Sequence, residues 1–142
     1  MFDYDEYLVE QKKYKERNKE IFKYYNAHPK SKDVGDCVKR AITKATGKDY
    51  KEVQLELNRY KKITKTKVFN EQKNFEKYIV KELEGQKLKG FNNIKIGEFA
   101  KSHTKGTYIV SCRKHLTCIV NGIIYDTWNP SFKAINKIWE VR

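Results

Sequence analysis

The dipeptide Asn121-Gly122 lies between two runs rich in β-branched and aromatic residues, His115-Leu116-Thr117-Cys118-Ile119-Val120 and Ile123-Ile124-Tyr125-Asp126-Thr127-Trp128. Both residues of the pair tolerate the positive φ that a two-residue type I′ turn demands, so the pattern predicts a β-hairpin. The turn also sets the register. With Val120 opposite Ile123, Thr117 falls opposite Asp126 and His115 opposite Trp128. Side chains alternate along a strand, so His115, Asp126 and Trp128 are expected on one face, with Asp126 diagonal to His115 and within its reach. A carboxylate beside an imidazole fixes the ring tautomer and raises its basicity, and an indole next to the pair screens it from water.

The rest of the final third is also strand-like. Runs at 107–112 and 137–141 join the hairpin through short connections, which predicts an antiparallel β-meander. Helical patterns precede it. Asp49-Tyr50-Lys51-Glu52 reads as a capping box opening a helix to about Tyr60, with Val53, Leu57 and Tyr60 inward and a polar link over 61–67. Asn70-Glu71-Gln72-Lys73 starts another, with Phe75, Tyr78, Ile79 and Leu83 apolar and Gly85 as its end, and a short helix is expected over 96–103. Helices first and strands afterwards make the fold class α+β.

One helix carries the chemistry. In Gly35-Asp36-Cys37-Val38-Lys39-Arg40-Ala41-Ile42, Asp36 has the residue type of an N-cap and Cys37 takes the first helical position. Val38, Ala41, Ile42 and Ala45 recur at spacings of three and four, one buried face, and Gly47 closes the helix. A thiol at a helix start feels the positive end of the helix dipole, which favours thiolate. Cys37 is therefore the candidate nucleophile, His115 its base and Asp126 the orienter of that base. Asn129 is the alternative orienter if the strand bends at Pro130, although strict alternation places it on the other face. Trp128, Asp36 and Asn129 are the residues expected to support binding at the site.

Cys118 belongs on the face opposite His115, as a small buried apolar side chain. Cys112 would pair with His115 if Arg113-Lys114 makes a tight turn, but it lacks a helix start. His28, beside Pro29, and His103, at a helix end, read as capping or solvated rings rather than second bases. No paired zinc-ligand spacing, phosphate-binding Gly-rich loop or Gly-x-Ser-x-Gly elbow is present, so neither a metal nor a cofactor is expected.

Cysteine at a helix start, followed by histidine and aspartate on adjacent antiparallel strands, resembles the papain-like cysteine peptidases. Asp36-Cys37 with Arg40-Ala41, Gly106-Thr107-Tyr108-Ile109-Val110, the His115 run and Gly122-Ile123-Ile124-Tyr125-Asp126-Thr127-Trp128 are similar to small papain-like proteins common in bacteriophage genomes. The likeness covers about Gly35 to the C-terminus. It implies a papain-like α+β fold with a Cys37-His115-Asp126 triad that attacks an amide or thioester carbonyl of a protein or peptide substrate. Related peptidases usually carry a glutamine shortly before the cysteine as an oxyanion donor, whereas this chain has Ser31, Lys32 and Asp33 there.

Charge points to a different class of function. The 142 residues have a formal charge of +13, and a surface so basic attracts nucleic acid or acidic proteins. It is equally what a lysine-rich composition gives a solvated surface. The charge leaves open an alternative, a non-catalytic basic binding protein on a papain-like scaffold, such as a phage nucleic-acid-binding or anti-defence factor. Residues 1–30 are read as a basic aromatic helical arm, helical over much of 2–27, and 31–142 as the papain-like α+β domain. Tyr14, Lys15, Arg17, Lys19, Phe22, Lys23, Tyr24 and Tyr25 mix cations and rings, which suits single-stranded nucleic acid, although the general rule for such a stripe, and the favoured reading, is that its aromatic side packs on the core. An odd number of cysteines, three, and no long apolar segment give an expected location in a reducing cytoplasm, with no membrane. Oligomeric state is not legible.

Overall fold

A computed structural model describes residues 2–32, 34–67 and 72–142. In it the Asn121-Gly122 turn forms with φ of +49° and +80°, the values that favour these two residue types. It joins strands β4 (His115–Val120) and β5 (Ile123–Asp126), and Val120 faces Ile123 as expected. On the other side of β4, strand β3 (Thr107–Cys112) pairs antiparallel over its whole length, from Thr107 opposite Val120 to Cys112 opposite His115. Arg113-Lys114 is thus the tight turn between them, Lys114 taking φ +57°.

Beyond these three strands the expected antiparallel meander is corrected to a mixed six-stranded sheet. Its order is β1-β5-β4-β3-β6-β2, where β6 is Lys137–Val141, β2 is Gln86–Lys87 and β1 is Phe22–Tyr24. Strand β6 crosses over to lie beside β3, and β1 runs parallel to β5. Much of 2–27 is helical, as expected, but its end is not. Helix α1 covers Tyr4–Arg17, a 3-10 turn follows at Lys19–Ile21, and residues 22–24 of the arm join the sheet. The physical reason is an open sheet edge: β5 has unpaired backbone groups on its outer side, and Phe22-Lys23-Tyr24 satisfies them. Strand β5 ends at Asp126 rather than at Trp128.

Four further helices cover the sheet: α2 (Cys37–Thr46), α3 (Tyr50–Thr64), α4 (Gln72–Lys81) and α5 (Ile96–Ser102). Asp49 caps α3 through its side chain, which accepts from the Lys51 N–H. That helix runs four residues past the expected end at Tyr60, because Thr64 is buried and its hydroxyl donates to the Tyr60 carbonyl. The expected start of α4 at Asn70-Glu71 lies outside the described residues. The chain is an α+β protein with a helix layer on each sheet face.

Alternation on the strands produces two cores. On one face Ile109, Leu116, Cys118 and Trp139 meet Val38, Ala41 and Ile42 of α2, Val53 and Leu57 of α3, and Tyr78 and Ile79 of α4. On the other, Tyr108, Val110, Ile119, Ile124 and Ile138 meet Ile96, Phe99 and Ala100 of α5. Burying an aliphatic side chain such as Ile42, which has no exposed surface, stabilises by about 1.5–3 kcal/mol. This packing seats α2 on β4 and brings its first residue to the Arg113-Lys114 end of the sheet.

Candidate active site

Cys37 opens α2 at that end, partly buried, and its thiol lies in hydrogen-bonding reach of the His115 ring and of the Leu116 backbone. His115 Nε2 donates to Asp126 Oδ2 at 2.6 Å. The carboxylate therefore occupies one ring nitrogen and leaves the other for the thiol. Trp128 packs on the imidazole with ring centroids 4.6 Å apart, although it follows the end of β5. Three of the sequence-predicted residues, Cys37, His115 and Asp126, are thus brought together, and Trp128 screens them.

The Asp126 carboxylate is fully engaged. Its Oδ1 accepts from the Thr127 backbone N–H at 2.7 Å and lies 3.3 Å from Arg40 Nη2, while its carbonyl accepts from the Tyr25 N–H beyond β1 at 2.8 Å. Arg40 is the residue the sequence reading missed. Its side chain is only 6% exposed and reaches in the other direction to Asp36, with Nη1 2.5 Å from Oδ1. Asp36 also accepts from the Tyr50 hydroxyl at 2.8 Å. A chain of polar groups therefore runs from the buried Tyr50, Asp36, Arg40 and Asp126 to the partly buried His115 and Cys37. The i,i+4 spacing of Asp36 and Arg40 was the one signal in the sequence that could have found it.

Two supporting assignments change. Asp36 stands at the N-cap position of α2, but its side chain makes no cap hydrogen bond, because Arg40 and Tyr50 claim both oxygens. The first turn of α2 consequently receives no capping hydrogen bond from it. Asn129 does not orient His115. It forms a local turn, its Oδ1 accepting from the Ser131 N–H at 3.0 Å, and its amide points to the Lys15 carbonyl of α1 at 3.5 Å.

Electrostatics follow from these contacts. Burial alone would raise the Cys37 thiol, but the hydrogen bond and positive charge of His115, the Leu116 backbone and the Arg40 charge outweigh it and hold the thiol below its ordinary value. Burial likewise opposes the imidazolium, yet the bonds to Asp126 and Cys37 win and push His115 up to about 9. The two shifts favour one state, thiolate beside imidazolium. Cys112, opposite His115, goes the other way: burial pushes it up to about 11, against the pull of Lys133. Cys118 has no exposed surface and packs in the α2 core, as expected.

The remaining histidines make no comparable contact. His28 packs edge-on to Tyr50, its Nδ1 accepting from the Lys30 N–H, and His103 stacks on Phe99. Among the described residues no group of three acidic, histidine or cysteine side chains is placed to hold a metal ion. No helix of the described residues is long and apolar enough to cross a membrane.

Beside Cys37 lies a cavity of about 400 Å³ whose lining includes Phe75, Cys112, His115, Leu116 and Asn136. Gln72, from the first turn of α4, lines it as well. Ser31 and Lys32, where a preceding glutamine would stand, do not; Asp33 lies outside the described residues. In comparisons with known proteins no family model, no curated protein and no solved structure matches the chain.

Proposed function

We propose that the protein is a thiol-dependent acyl hydrolase of the papain-like kind, with Cys37 as nucleophile, His115 as acid and base, and Asp126 as the group that orients His115. The observation that carries this reading is the 2.6 Å contact of His115 Nε2 with Asp126 while the same ring faces a thiol at a helix start. The His115 ring takes the Cys37 proton, and the thiolate adds to the carbonyl carbon of an amide or thioester. Backbone N–H groups of Cys37 and Val38 are suited to hold the resulting oxyanion. The tetrahedral adduct collapses as His115 returns the proton to the departing amine or thiol, and water then releases the acyl group from sulfur. Asp126 keeps the ring in the required tautomer and balances its positive charge, and Arg40 holds Asp126 in place.

The test is the pH dependence of iodoacetamide labelling at Cys37, read by mass spectrometry. Cys37 is expected to react well below the roughly 8.5 of a free thiol. In His115→Ala the profile is expected to move up to that value, and in Asp126→Ala part of the way. A Cys37 that titrates as a free thiol in all three proteins would overturn the reading. The +13 surface would then carry the function, as a binding protein for nucleic acid or an acidic partner.

A further inference from the structure

The cavity beside Cys37 has a floor of Val38, Phe75 and Leu116, and at its rim stands the β3–β4 turn, Arg113-Lys114. Among the described residues no carboxylate lines it. Both turn residues are exposed, and neither makes an ion pair among the described residues. Glu76, the acidic residue of α4, is taken by Lys137 at 3.4 Å. Because Cys112 pairs with His115, the turn cations are fixed one and two residues from the proposed base rather than carried on a loose loop. The space next to the thiol therefore combines an apolar floor with a positive rim that no ion pair or lining carboxylate of the described residues opposes, where a negative charge gains attraction.

We propose that the substrate is an acidic peptide, bound with a carboxylate side chain against Arg113 and Lys114 and with the adjoining backbone carbonyl at Cys37. This rests on the reading of Cys37 as a nucleophile and adds its specificity. The two turn residues are specificity determinants; they take no part in the proton transfers.

Two alkylating reagents of nearly equal size separate the claims. Iodoacetate carries a carboxylate and iodoacetamide is neutral, so the ratio of their rates at Cys37 reports attraction for a carboxylate and cancels changes in thiolate content. In the full chain, the double variant R113E/K114E is expected to lower that ratio about tenfold at low salt, and R113Q/K114Q by roughly threefold, as removal or reversal of nearby charge requires. Raising the salt should narrow the gap between wild type and both variants. The neutral pair of substitutions guards against a folding defect from charge reversal. A ratio equal in the three proteins overturns the acidic-substrate inference while leaving the nucleophile intact. Failure of both reagents to label Cys37 in the wild type overturns the nucleophile itself, and the inference with it.

Discussion

The two ends of the β4–β5 hairpin use the same residue types to opposite effect. At the Asn121-Gly122 end, Cys118, Ile119 and Ile124 have no exposed surface, and burial pushes the Cys118 thiol up to about 12. The histidine near that end, His103, lies flat on Phe99 with ring centroids 3.8 Å apart, and its Nδ1 meets only the Ser102 hydroxyl and the Phe99 carbonyl. At the Arg113-Lys114 end, a partly buried cysteine and histidine are joined to two buried carboxylates and a buried guanidinium. A cysteine and a histidine do not make a site by themselves. Partners that hold charge inside the protein do, and they cost several kcal/mol of desolvation per ion unless each is paired. A fold that keeps such a network at one end of a hairpin, and plain packing at the other, concentrates its perturbed groups in one place.

The largest effect should come from removing the thiol itself. Cys37→Ala is expected to abolish hydrolysis and all fast labelling, whereas Cys118→Ala leaves the labelling rate of Cys37 within about twofold, since Cys118 touches only the core. Fast labelling retained in Cys37→Ala would mean that another cysteine, Cys112 opposite the same histidine or Cys118 in the core, is the reactive one.

Next in size is the cost of breaking the charge network. Arg40→Ala leaves Asp36 and Asp126 buried without their shared cation, and denaturant unfolding should show a loss of about 3–5 kcal/mol. Adding Asp36→Asn to that variant should restore part of the loss, because one uncompensated charge is removed. A loss under about 1 kcal/mol would mean that water, rather than Arg40, satisfies the two carboxylates.

The smallest effect belongs to the opposite end. Gly122 has φ +80°, and a Cβ there would stand 3.2 Å from the Ala100 carbonyl oxygen and 3.3 Å from the Thr104 Cα. Gly122→Ala is expected to destabilise by about 1 kcal/mol without changing the pH profile of Cys37 labelling. If that profile moved, the two ends would be coupled and the contrast between them would fail.

How much of this was legible in the chain follows the range of the interactions. The hairpin and its register needed only Asn121-Gly122 and strict alternation, so the meeting of His115 with Asp126 could be computed in advance. Helix α2, with Cys37 at its start, came from the 3.6-residue period of Val38, Ala41 and Ile42, again a local signal. The strand at 22–24 was not legible, because the alternation of Phe22-Lys23-Tyr24 is too short to mark a strand and pairs only where β5 offers an open edge. Nor was the true role of Asp36: its type suits a cap, but two stronger donors from Arg40 and Tyr50 reach it once α2 and α3 pack together. Short-range geometry thus determined which residues could do chemistry, while tertiary packing alone decided which buried charges hold them. A charge can be taken out of water only where the whole fold delivers its partner.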